Sequence, residues 1–168
     1  MSNKRPKINV PFQHVDIAIE LLSIALLLLM WLFVITEYSD LPDTIASHYN
    51  AKGEADGYSN KSFIWILPII ATVIYVGLFI LNRYPHLHNY MTDITEENAL
   101  KHYRFSTRIL RVVNLFCVLL FAYITYHIVE SAKAISLSLG GAFIGIVIGM
   151  SLLLPVVIII YQKRINKS

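Results

Sequence analysis

Charge is scarce in this chain: 15% of its 168 residues are Asp, Glu, Lys or Arg, against 56% hydrophobic. A soluble globule needs more polar surface than that to clothe its core, so the shortage points to the bilayer. Cysteine is nearly missing as well. Cys117 has no second cysteine in the chain, which excludes an internal disulfide and fits an inert packed thiol. No phosphate-binding glycine loop, Ser/His/Asp set or intramembrane carboxylate pair is visible, so nothing argues for an enzyme, although the residues leave that question open. Charge is also missing from the middle of every apolar run, whereas ion-coupled pumps keep an ionisable residue at depth, and this weakens a transporter reading.

What is present is four apolar runs: Ile17–Thr36, Ser62–Leu81, Ile109–Val129 and Ile135–Tyr161. Each is close to the roughly 20 residues that a helix needs to cross the hydrocarbon core. They predict an all-α membrane protein, a four-transmembrane-helix bundle forming one domain over residues 1–168. Lys4, Arg5 and Lys7 ahead of the first run suit a signal peptide, but no Ala-x-Ala type cleavage site follows, so a retained helix is expected.

Of the 14 Lys and Arg residues, Lys52, Lys61 and Lys133 fall in the 37–61 and 130–134 connections, and the other 11 fall at the termini or in the second connection and its flank. The positive-inside rule then puts both termini and the 82–108 connection in the cytoplasm, with 37–61 outside. The net charge of +3 follows from that bias, and no nucleic-acid partner is needed to explain it. On this topology His48 and Asp56 lie outside while His86, His88 and His102 lie inside, and the two sets cannot share a site.

The polar island 37–61 carries turn chemistry. Pro42 fixes its own φ, His48-Tyr49-Asn50 reads as extended, and Gly53 and Gly57 are suited to positive φ beside Asn50 and Asp56. A compact loop or small hairpin on the outer helix ends is expected, with Tyr38, Tyr49 and Tyr58 at headgroup level.

Leu41, Pro42, Ile45, His48, Asn50, Gly53, Asp56, Gly57 and Lys61 follow the pattern Leu-Pro-x-x-Ile-Pro-x-His-x-Asn, Gly-x-x-Asp-Gly, Lys, with Ala46 at the second proline. In this the chain resembles the SdpI-type bacterial membrane family, in its N-terminal domain of unknown function. Pro85-His-Leu-His-Asn-Tyr90 and Ile94-Thr-Glu-Glu-Asn-Ala99 extend the resemblance over roughly residues 37–111. The resemblance implies toxin immunity or ligand sensing through the outer loop. The toxin-immunity member has a further helical region, whereas four spans are expected here.

His48, Asn50, Gly53 and Asp56 are the candidate ligand-binding or loop-structuring residues. With Glu54 they could hold a cation or a peptide, His48 and Asp56 being the metal-ligand candidates. The blander reading, with both side chains bonded to loop backbone, is favoured because the spacing matches no established metal motif. No cofactor is expected beyond such a metal ion.

On the inner side, Asp93 or Thr95 is expected to cap one long helix running from Ile94 to Val129. Lys101, Arg104, Arg108 and Arg111 recur at helical spacing and form a stripe for anionic lipid or a cytoplasmic protein. Arg108 and Arg111 lie at a depth similar to Asp16 and Glu20, and structural pairing is expected for these two. His86 and His88 lack the further ligands a metal would need. Gly141, Gly145 and Gly149 give the fourth span a face for close helix packing, within the bundle or between copies in a homodimer. Pro155 is expected to bend that span.

Three functional readings follow. The first is recognition of a peptide toxin or small ligand by the outer island; the second is a small transporter subunit or metal-dependent membrane enzyme; the third is a membrane assembly module.

Overall fold

The computed structural model describes residues 5–133 and 140–165. Four helices carry the chain: α1 (His14–Glu37), α2 (Ile66–Leu81), α3 (Ala99–Lys133) and α4 (Gly140–Ile165). Each lies in a segment long and apolar enough to cross a membrane, so this is a multi-pass membrane protein whose helices contact lipid. Between α1 and α2 the island folds as an antiparallel hairpin, β1 (Thr44–Tyr49) and β2 (Ala55–Asn60).

The helices α1, α2 and α3 pack together through two apolar clusters, and a third joins the start of α3 to the segment ahead of α1. At the hairpin end Val34, Leu67, Ile128 and Val129 close around Leu41, Ile45 and Ile64. The hairpin is therefore seated by its own buried side chains. In the middle Leu27, Met30, Ala71, Tyr75 and Val118 interlock, and the Trp31 indole N–H donates to Thr72 Oγ1 at 3.0 Å. At the far end Ile94, Ala99 and Tyr103 pack on Ile8, Val10 and Tyr90, so the segment ahead of α1 lies across the bundle as an arm. Its Arg5 guanidinium donates to the carbonyls of His86 and His88 at 3.2 and 2.6 Å, and Tyr103 donates to the Pro6 carbonyl at 3.0 Å.

Two helix starts differ from expectation. α3 begins at Ala99 and not at Ile94, because the Asn98 side chain takes the Thr95 N–H at 2.9 Å and donates to the Asp93 carbonyl at 3.0 Å. Such local bonds compete with helical ones, and the chain turns once more before the helix starts. α2 begins at Ile66 after a 3-10 turn at Lys61–Trp65, which Asn60 caps by accepting from the Ser62 N–H at 3.0 Å.

α4 is the peripheral element. The most apolar stretch of its span has no residue buried inside the protein, and its contacts with α3 include the stacked rings Phe105–Tyr161 and Tyr123–Phe143. Pro155 lies in its interior. Nothing lies within 4 Å of where a Cβ would stand on Gly145 or Gly149, so these glycines are not the point where another described helix approaches. The surroundings of Gly141, and residues 135–139 of the expected fourth span, lie outside the described residues.

Candidate functional site: the hairpin and the buried ion pairs

The hairpin owes its shape to two devices. Gly53 closes the turn at φ 78, a left-handed conformation that costs glycine least, while Asn50 Oδ1 accepts from the Lys52 and Glu54 N–H groups at 2.8 and 3.1 Å. The Asn50 amide also donates to Glu54 Oε2 at 2.9 Å. Asn50 and Glu54 thus hold the turn together. Farther along, the register is irregular on both sides of the His48–Gly57 pair, so Ser47 in β1 and Asp56 in β2 have no partner directly opposite. Such bulges re-aim side chains.

The consequence is a His–Asp pair. His48 Nδ1 lies 2.5 Å from Asp56 Oδ1, with the two side chains 72% and 44% exposed. These residues are bonded to each other across the strands, a pairing that replaces the expected bonds to loop backbone. The carboxylate orients the ring, and an imidazole held through Nδ1 presents Nε2 to an incoming group. Gly57 is needed here for space: a Cβ on it would stand 2.9 Å from His48 Cβ. Its φ is not positive, contrary to expectation.

The underside of the hairpin is tied down. Tyr49 OH lies 3.4 Å from Ser131 Oγ on α3, and burial raises the Tyr49 phenol above its ordinary range against the opposing effect of that contact. Lys61 Nζ donates to the Leu41 carbonyl at 3.3 Å and lies near the Tyr38 ring, and Lys133 pairs with Glu37. The exposed pair thus stands on an anchored platform.

The far end holds a second constellation. Asp16, Glu20 and Arg111 are 2%, 8% and 6% exposed, inside the bundle. Arg108 Nε reaches Asp16 Oδ1 at 3.0 Å and its Nη2 also bonds Gln13 Oε1; Arg111 lies 3.7 Å from Asp16 and 3.2 Å from Glu20. Among the described residues Arg111 Nε has no aligned hydrogen bond, so its contact with Glu20 is one of charge. Tyr75 OH donates to Glu20 Oε2 at 3.0 Å, and Asn114 donates to the Tyr75 carbonyl at 3.2 Å. Beside this network a 200 Å³ cavity is lined by Glu20, Asn82, Thr107, Arg111 and the arm residues Ile8 and Val10.

Sequence spacing points to the Asp16/Glu20 and Arg108/Arg111 contacts, but it misses Tyr75, 55 residues from Glu20, and Gln13. Lys101 and Arg104 are farther out on α3, between α3 and the end of α4. His86 and His88 sit in the connection; His88 Nε2 donates to the Leu81 carbonyl at 3.2 Å and its Nδ1 lies 3.1 Å from Ser106 Oγ. The two histidine sets are at opposite ends of α3: Ile128 and Val129 underlie the hairpin and Tyr103 faces the arm, roughly 39 Å apart along the helix.

The family model "Domain of unknown function (DUF1648)" matches residues 25–72, from within α1 through the hairpin into α2. An uncharacterized protein of Archaeoglobus fulgidus is 32% identical over 76 residues, which is 40% of this chain and 42% of that relative. The chain therefore spans about two fifths of the length of the curated relative it matches. No solved structure matches. By its helices and these likenesses the chain is a multi-pass membrane protein, similar through its hairpin region to a domain of unknown function.

Proposed function

We propose that the hairpin is a recognition surface outside the bilayer, and that it binds a peptide or small ligand at His48 and Asp56. The observation that carries this reading is the exposed His48–Asp56 pair on a hairpin whose other face is buried among three helix ends. Lys and Arg residues concentrate at the end away from the hairpin, which supports an orientation with both termini in the cytoplasm of a bacterial inner membrane. The SdpI-type pattern in Leu41–Lys61 supports protection against a membrane-active toxin, or a report of its presence.

Cells expressing the chain are challenged with membrane-active peptides, while its membrane content is followed by immunoblot. His48→Ala and Asp56→Ala should each abolish protection at unchanged membrane content. Protection at the wild-type level in both variants sinks the proposal.

A further inference from the structure

One strand of the hairpin is packed and the other is not. β1 supplies Ile45 and Tyr49 to the apolar cluster that seats the hairpin on the helix ends, and Tyr49 meets Ser131 of α3. Among the described residues β2 supplies nothing to that cluster, and none of its six residues is buried. β2 is the outer strand of a two-stranded sheet, with one edge on β1 and the other unpaired.

The ladder sets which backbone groups that edge presents. The Lys61 N–H donates to the Asp43 carbonyl at 2.9 Å, so Lys61 turns its amide toward β1. Direction alternates along a strand: Ser59, opposite Ile45, faces β1 as well, and Asn60 and Tyr58 turn their backbone groups the other way. Among the described residues, none outside the hairpin hydrogen-bonds the Tyr58 N–H or carbonyl or the Asn60 N–H. The irregular register at Asp56 ends the regular edge on the turn side. β2 contains no proline, the residue that would most directly bar a further strand.

The side chains beside this edge set the chemistry of a partner. Asp56, Tyr58 and Asn60 are the exposed residues of β2. Tyr58 is 65% exposed, and Asp56 engages His48 through Oδ1 while staying open to solvent. A carboxylate and an aromatic ring two residues apart on one face of a strand suit a Lys or Arg side chain, by charge and by cation–π attraction. The surrounding surface agrees in sign: residues 37–61 and 130–134 hold six Asp and Glu against three Lys, and Lys61 and Lys133 already pair with Asp43 and Glu37. A strand laid beside β2 turns alternate side chains to this face and the others toward the helix ends and lipid headgroups, where apolar groups are suited.

We propose that an extended cationic peptide, with basic and apolar residues alternating, pairs with the β2 edge as a third strand. Its backbone bonds to Tyr58 and Asn60, and its basic side chains lie over Asp56 and Tyr58. This rests on the hairpin being the recognition surface proposed above, and it gives that surface a ligand class and a binding mode.

The test uses the full chain in a neutral maltoside detergent and a fluorescently labelled nine-residue peptide alternating lysine and valine. Anisotropy reads binding, and hydrogen exchange reads the hairpin amides. Wild-type protein should bind the peptide, with slowed exchange at the Tyr58 and Asn60 amides. Two further peptides are N-methylated, one at every lysine and the other at every valine. A strand pairs through alternate residues, so one of them should bind about tenfold weaker and the other like the parent. A glutamate–valine peptide should bind at least as poorly as the blocked one. The changes are in the peptide, so no variant of the protein has to fold. Equal binding of the two N-methylated peptides overturns edge pairing; if that binding is still lost in His48→Ala and Asp56→Ala, the recognition surface stands and only its mode is wrong. Failure of wild-type protein to bind the parent peptide, or equal binding of the glutamate–valine peptide, overturns the cationic ligand and leaves the protection assay to judge the hairpin on its own. Slow exchange at Tyr58 and Asn60 without peptide, lost on dilution, would mean that a second copy covers the edge and overturns the proposal too.

Discussion

Gly57 and His48 face each other across the hairpin so closely that a side chain on one excludes the ordinary position of the other: a Cβ at Gly57 would stand 2.9 Å from His48 Cβ. Both atoms would be fixed to strand backbone, so the strain could not be relieved by a rotamer change. That position lies between the two register breaks, beside the His48–Asp56 pair.

Gly57→Ala should therefore force the strands apart and lower stability by about 1–3 kcal/mol, the usual cost of overpacking. Thermal unfolding in mild detergent reads the loss. His48→Gly in the Gly57→Ala background removes the opposing Cβ and should recover part of it, a coupling expected only of residues in contact. Additive losses would mean that the close approach is not what makes Gly57 necessary.

Arg111 is held by two carboxylates inside the bundle, and its removal leaves a buried negative charge facing Tyr75 and the cavity. Arg111→Met should cost about 3–5 kcal/mol, as removal of one partner of a buried pair does. Glu20→Gln added to Arg111→Met should restore most of it, because the uncompensated charge goes too. Fluorescence-detected size exclusion after graded heating separates the cases, and a double variant no better than the single one would contradict this account.

His88 is half-buried, and burial, aided by His86, lowers its pKa below the ordinary histidine value despite the opposing bond to the Leu81 carbonyl. Above about pH 6.5 the ring is neutral in folded and unfolded chains alike, and it contributes no pH dependence. As pH falls through that value the unfolded chain takes up the proton first, so stability falls until the lower folded pKa is passed. Melting temperature should decrease from pH 7 toward pH 5, with a shallower slope in His88→Gln. An unchanged slope in that variant would place the dependence elsewhere.

The helices, the hairpin and its turn were legible because each rests on neighbouring residues: apolar runs of membrane length, and Asn50 and Gly53 at turn spacing. The start of α3 was misread because Asn98 binds back to Thr95 and Asp93, a choice that capping preferences alone do not reveal. Gly57 was legible as special but not for its true reason, which depends on the residue facing it across the strands. Asp16 and Glu20 could be matched with Arg108 and Arg111 because each pair has helical spacing at comparable depth. Tyr75 carries no such signal, since it meets Glu20 only once α1 and α2 have packed. Of the α4 glycines that read as a packing face, Gly145 and Gly149 are not approached by another described helix, while aromatic rings are among the contacts between α4 and α3.

α3 runs 35 residues without Pro or Gly, roughly 52 Å of continuous helix. Its last turns lie beneath the hairpin, where Tyr49 meets Ser131, and its first turns hold the arm and the ion pairs. The molecule is built on a spine. The two ends cannot tilt independently without breaking that helix, so force applied to the hairpin reaches the arm as it would through a lever, with no intervening joint to absorb it.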